Sequence, residues 1–177
     1  MSGHGSHSSP WRQVAIVSVF AVAMAYLESA ALIYLRNIFP ITSRAGVAAP
    51  SQTDIWKSLP YFTLLKPSAL LTVLPNTKFA QMEMWRGVAV IVVLVCMAWL
   101  VGSNLKVRTA FFLYIFGVWN IVHYVFLRLL SGWPTSPSSK DVLFMIPGPS
   151  VAAVFVPILV SAAMIAVGIL ILKTDEH

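Results

Sequence analysis

The predominantly apolar stretch from Gln13 to Leu35 contains a single ionised group, the carboxylate of Glu28, set well inside it. A helix of that length crosses a bilayer, which takes roughly 20 apolar residues. An ionised side chain at the centre of a membrane helix costs about 2.5–3.5 kcal/mol on insertion scales, so it is expected to face protein and to have a partner. Glu28 therefore constrains the fold twice. The helix must be one wall of a bundle, and another wall must supply a polar group at the same depth.

Composition supplies the other walls. With 58% hydrophobic and 10% charged residues and a mean hydropathy of +0.81, the chain is too apolar for an ordinary water-soluble domain. Four windows meet the length and polarity of a spanning helix: about 13–35, 85–102, 109–130 and 151–172. The expected fold is an all-α integral membrane bundle of four transmembrane helices, forming one domain over 1–177. A signal peptide is the alternative for the first window, since Arg12 precedes it and Ala21-Val22-Ala23 resembles a cleavage site. The apolar run continues well past that site, which suits a permanent helix. The net charge of +6 comes from Lys and Arg at span ends and in loops, with no basic run. The lipid bilayer, not nucleic acid, is the expected partner. The single cysteine, Cys96, lies within a span and excludes an intrachain disulfide.

An even number of spans puts both termini and the tight Lys106/Arg108 turn on one side, here side A, and two long loops on the other, side B. The first long loop, 37–84, is punctuated by Pro40, Pro50, Pro60, Pro67 and Pro75, and so long a connection is rarely idle. Its apolar part, 61–74, contains Lys66 and Pro67 and is short for a span, so an interfacial or re-entrant segment is expected. Pro157, read as interior to the fourth span, predicts a kink. Side A, with two cations in its short loop and Arg12 and Lys173 against the membrane, is expected to be cytoplasmic.

The polar residues of the spans are not scattered. At 1.5 Å per residue, Glu28 lies about 12 Å below Arg36, and Asn120 lies about as far below Arg128. His123 and Tyr124 follow Asn120 at helical spacing, and Glu83 and Arg86 stand three apart at the side B entrance of the second span. The expected intramembrane cluster is Glu28, Glu83, Arg86, Asn120, His123, Tyr124 and Arg128. A carboxylate there suits a proton carrier, a metal ligand or a general base, or else a packing residue satisfied by Arg86, Arg128 or His123. Glu28 and His123 are weak metal candidates. A bis-histidine haem would need a second intramembrane histidine, and His4, His7 and His177 all lie in the tails. Trp85, Trp99, Trp119 and Trp133 read as anchors at the membrane interface. No phosphate loop, paired-cysteine site, HExxH helix or GxSxG elbow occurs, and no cofactor is implied.

Glu83-Met-Trp-Arg86, Phe116-Gly-Val-Trp-Asn120, Gly132-Trp-Pro134 and Asp141-Val-Leu-Phe-Met-Ile-Pro147 resemble a family of small, uncharacterised bacterial multi-pass membrane proteins, over roughly the last two-thirds of the chain. The resemblance implies a bacterial inner-membrane location and lends no activity. The family pattern tends to carry an acid at the position of Asn120 and a tyrosine at that of His123, so this chain departs where chemistry would be carried. Two classes of function follow. One is a non-catalytic accessory or scaffold subunit that docks other membrane subunits. The other is a small membrane enzyme, or a proton- or metal-handling protein, built on Glu28, Asn120 and His123.

Overall fold

The structure, a computed structural model, describes residues 10–38, 52–66, 77–143 and 150–175. Its four long helices are α1 (Pro10–Ile38), α2 (Thr77–Val101), α3 (Leu105–Ser131) and α4 (Phe155–Asp175). All four are long and apolar enough to cross a membrane, and the fold is an all-α bundle carrying a small antiparallel sheet.

α3 is the hub, packing against α1, α2 and α4, whereas α1 and α2 have few direct contacts. The sequence explains the closeness at each seam. On α1 the four-residue repeat Ala21, Ala25 and Ser29 is wholly buried, because small residues let two backbones approach. Ser18 reaches across to Tyr114 on α3, hydroxyl to hydroxyl at 2.8 Å. Between α3 and α4, Gly117 sits against the Ser161 carbonyl and Gly168 against the Ala110 carbonyl, with no room for a Cβ at either. These pairings make α1 parallel to α3 and α4 antiparallel to it, so the start of α1 and the end of α4 share side A.

The α2–α3 turn is only Gly102, Ser103 and Asn104. Asn104 caps α3 by accepting a bond from the Val107 N–H at 3.0 Å. Arg108 donates to the Gly102 carbonyl at 3.0 Å and lies over the Trp99 ring at 4.1 Å. At the other end of α3, Gly132 adopts the left-handed conformation, φ 73°, that terminates a helix without a Cβ penalty.

On side B the two long loops are woven together. Strands β1 (Ile55–Leu59), β2 (Phe62–Leu65), β3 (Lys140–Val142) and β4 (Ser150–Ala153) form one antiparallel sheet in the order β1-β2-β4-β3. Register is set by pairs such as Thr63 with Val151 and Asp141 with Ala152. β4 is buried along its whole length, and the chain passes from it almost directly into α4.

The sheet adds to one sequence expectation and corrects two. Residues 62–65, within the apolar segment 61–74, form a strand whose backbone pairs with β4 about 90 residues away; residues 67–74 lie outside the described set. The fourth helix starts at Phe155, not 151, because 150–153 is β4. Pro157 consequently falls in the first turn, where the missing N–H removes no interior bond and no kink is required.

Candidate functional site

Adjacent or near-adjacent polar residues from four elements converge at the side B end of the bundle: Glu28 and Ser29 from α1, Glu83 and Arg86 from α2, His123 and Tyr124 from α3, and Asp141 from β3. At their centre is the Arg86 guanidinium. One of its terminal nitrogens pairs with the Glu28 carboxylate across the α1–α2 seam. The other pairs with Glu83 at 2.5 Å along its own helix, a spacing of three residues that puts both side chains on one face. Glu28 and Glu83 are buried. Asp141 lies within electrostatic reach of the same guanidinium and accepts a 2.9 Å bond from the Tyr124 hydroxyl.

Beside this ion cluster, the Ser29 hydroxyl lies 2.9 Å from His123 Nδ1, 2.7 Å from the Ala25 carbonyl and 3.1 Å from the His123 carbonyl. A hydroxyl has one proton, and both carbonyls only accept. The shortest of these is the bond that the hydroxyl donates to the Ala25 carbonyl, and the direction of the Ser29–His123 bond follows the tautomer of the imidazole. The ring is stacked on Trp119 at 5.9 Å and 20° and meets the Tyr124 ring edge-on.

Of the seven expected residues, Glu28, Glu83 and Arg86 form the ion cluster, with His123 and Tyr124 against it. Asn120 is half-buried and makes no hydrogen bond among the described residues. Arg128 turns away and donates to the carbonyls of Gly132 and Pro134 at 2.5 and 2.9 Å, capping the end of α3 instead of facing Glu28. The side chain of Arg36, and His4, His7 and His177, lie outside the described residues. Trp85 and Trp99 are exposed on α2, as interface anchors should be, but Trp119 is packed inside, against His123 and Phe116.

Sequence reasoning missed Asp141 and Ser29. Asp141 sits where the apolar patch after the Ser- and Pro-rich loop begins, and only strand pairing brings it over α3. Ser29 belongs to the small-residue repeat of α1, and nothing in that spacing shows that its hydroxyl meets a histidine.

Chemically, the cluster has three carboxylates, Glu28, Glu83 and Asp141, around one guanidinium. Among the described residues no group of three His, Cys, Asp or Glu side chains is placed to hold a metal. Two other buried polar atoms, Trp119 Nε1 and Ser161 Oγ, have no hydrogen-bond partner among the described residues. No protein-family model, curated protein or solved structure matches the chain.

Proposed function

We propose that this multi-pass membrane protein is a non-catalytic accessory subunit, whose intramembrane polar cluster is a lock that sets how its helices and its side B cap fit together. The observation that carries this reading is that the reactive-looking groups are each engaged with a different element: Glu28 with Arg86, His123 with Ser29, Tyr124 with Asp141. α1 and α2 have few direct contacts, and the Glu28–Arg86 pair is a polar tie between them. Buried ion pairs add little net stability against apolar replacements, but they select one arrangement over others. A rigid bundle with a sheet on one side suits a protein that presents a surface to other membrane subunits. The proposed setting is a bacterial inner membrane with side A cytoplasmic, supported by Lys106, Arg108, Arg12 and Lys173 at that face.

The test is to purify wild type, Glu28→Gln and Glu28→Leu in mild detergent and identify what co-purifies. The lock reading expects Glu28→Gln to fold and keep its companions, because shape and most hydrogen bonding persist, and it tolerates Glu28→Leu. A folded, companion-bound Glu28→Gln protein that has lost its cellular activity refutes it. A second reading, a proton-handling protein, is favoured by the surplus of carboxylates over guanidinium. It expects a protonated-carboxyl infrared band in wild type that Glu28→Gln removes.

A further inference from the structure

The β1–β2 hairpin carries three large and mostly exposed side chains: Trp56, Leu59 and Tyr61 are 62%, 52% and 68% exposed. Across the sheet, by contrast, Leu65 is fully buried, so the hairpin has an inner side that holds it to the cap and an outer side with nothing on it.

Two contacts fix the height of this hairpin. Tyr61, in the turn at φ 65°, packs its ring edge-on against Phe155 at 5.2 Å, and its carbonyl accepts from the Ala153 N–H at 3.1 Å. Phe155 is the first residue of a membrane-spanning helix. The turn therefore lies level with the side B end of α4. Its lateral position follows from strand order. β3 stands over the ion cluster through Asp141, and β1 is the opposite edge, three strand spacings or about 14 Å away. β1 is thus the strand farthest from Asp141 and the ion cluster.

An exposed edge strand also suits pairing with another strand, but β1 is built against that. Its register is broken between Ile55 and Lys57, and Lys57 on it is exposed; a bulge and a lysine are two devices that blunt edge pairing. What the hairpin offers is side chains, and Trp, Tyr and Lys around one leucine is the set found where protein meets lipid headgroups.

We infer that the β1–β2 hairpin is a membrane foot, with Trp56, Leu59 and Tyr61 seated in the headgroup layer of the side B leaflet beside α4 and Lys57 at the lipid phosphates. The foot braces the outer edge of the sheet against the bilayer, while Asp141 ties the inner edge to the helices.

The experiment uses the full chain with Cys96, its only cysteine, replaced by alanine. A single cysteine at Leu59→Cys, or at Trp56→Cys should the first fail to insert, is labelled with an environment-sensitive fluorophore. The protein is then reconstituted into phosphatidylcholine vesicles containing phosphatidylglycerol, with nitroxide-bearing lipids. The foot predicts blue-shifted emission, quenched more by nitroxides near the headgroup than by those deep in the acyl chain, and unchanged as protein is diluted in lipid. Water-like emission without quenching overturns it. So does a shielded signal that disappears on dilution, which would mean that a second copy covers the hairpin.

Discussion

Replacing Gly117 by alanine puts a methyl group where the α3–α4 seam has no space. The new Cβ would stand 2.6 Å from the Ser161 carbonyl oxygen and 2.6 Å from Ile165 Cγ1, against ordinary contact starting at 3.4 Å. Ile165 can change rotamer, but a helix carbonyl cannot turn away without breaking its own bond. The helices must separate by several tenths of an ångström along the tightest part of their contact. Overpacking of this kind costs about 1–3 kcal/mol. The usual gain of alanine over glycine in a helix, about 1 kcal/mol, is largely absent when the unfolded reference is a micelle in which helices persist. Gly87 on α2 provides the internal control, because a Cβ there meets nothing within 4 Å. In reversible unfolding by a denaturing detergent, Gly117→Ala should lose about 1–3 kcal/mol, while Gly87→Ala stays within about 0.5 kcal/mol of wild type. Equal stability of the two variants would refute the close-packed seam. Gly168→Ala, 2.8 Å from the Ala110 carbonyl, should destabilise too. The double variant should lose less than the sum, since one separation of the helices relieves both clashes.

Arg86→Leu leaves Glu28 and Glu83 facing each other without their common cation and should cost about 3–5 kcal/mol, whereas Glu28→Gln should stay within about 1 kcal/mol; the same unfolding assay reads both. Tyr124→Phe removes the bond to Asp141 and should cost about 1.5–3 kcal/mol, with faster hydrogen exchange in β3. Ser161→Ala should raise stability by up to about 1 kcal/mol, because the buried hydroxyl has no partner among the described residues; a loss would show that the hydroxyl is bonded. Single cysteines at positions 12 and 174, in a Cys96→Ala background, should react with an impermeant thiol reagent from the same face, and labelling from opposite faces would overturn the antiparallel arrangement of α1 and α4.

The helices were legible in the sequence because a bilayer imposes a length that short windows can test, and α1, α3 and α4 lie within a few residues of their expected bounds. α2 begins eight residues early, at Thr77, because Lys78, Glu83 and Arg86 dilute its first turns below what an apolar window accepts. The cap was illegible for a different reason. β2 and β4 are each four residues long and pair across about 90 residues, so neither shows a local period strong enough to identify it. At the site, Glu28, Glu83 and Arg86 could be grouped from depth alone. Depth does not give direction, however, and Arg128, at the right end of α3, spends its donors on the carbonyls of its own C-terminal turn. Asp141 depended on the strand pairing and was hidden along with it.

The weave of the cap also orders events during synthesis. β1 and β2 leave the ribosome before α2 and α3, yet the strand that covers β2 is made just ahead of the last helix. Until α4 is being inserted, β2 has one bare edge, Leu65 lacks its cover, and Tyr61 has no Phe155 to rest on. A nascent chain halted after α3 would therefore hold three helices and a half-finished sheet with an open edge, the kind of intermediate that membrane chaperones and proteases recognise. Only when β4 and the first turn of α4 have been made does β2 gain its partner strand and Tyr61 its contact with Phe155.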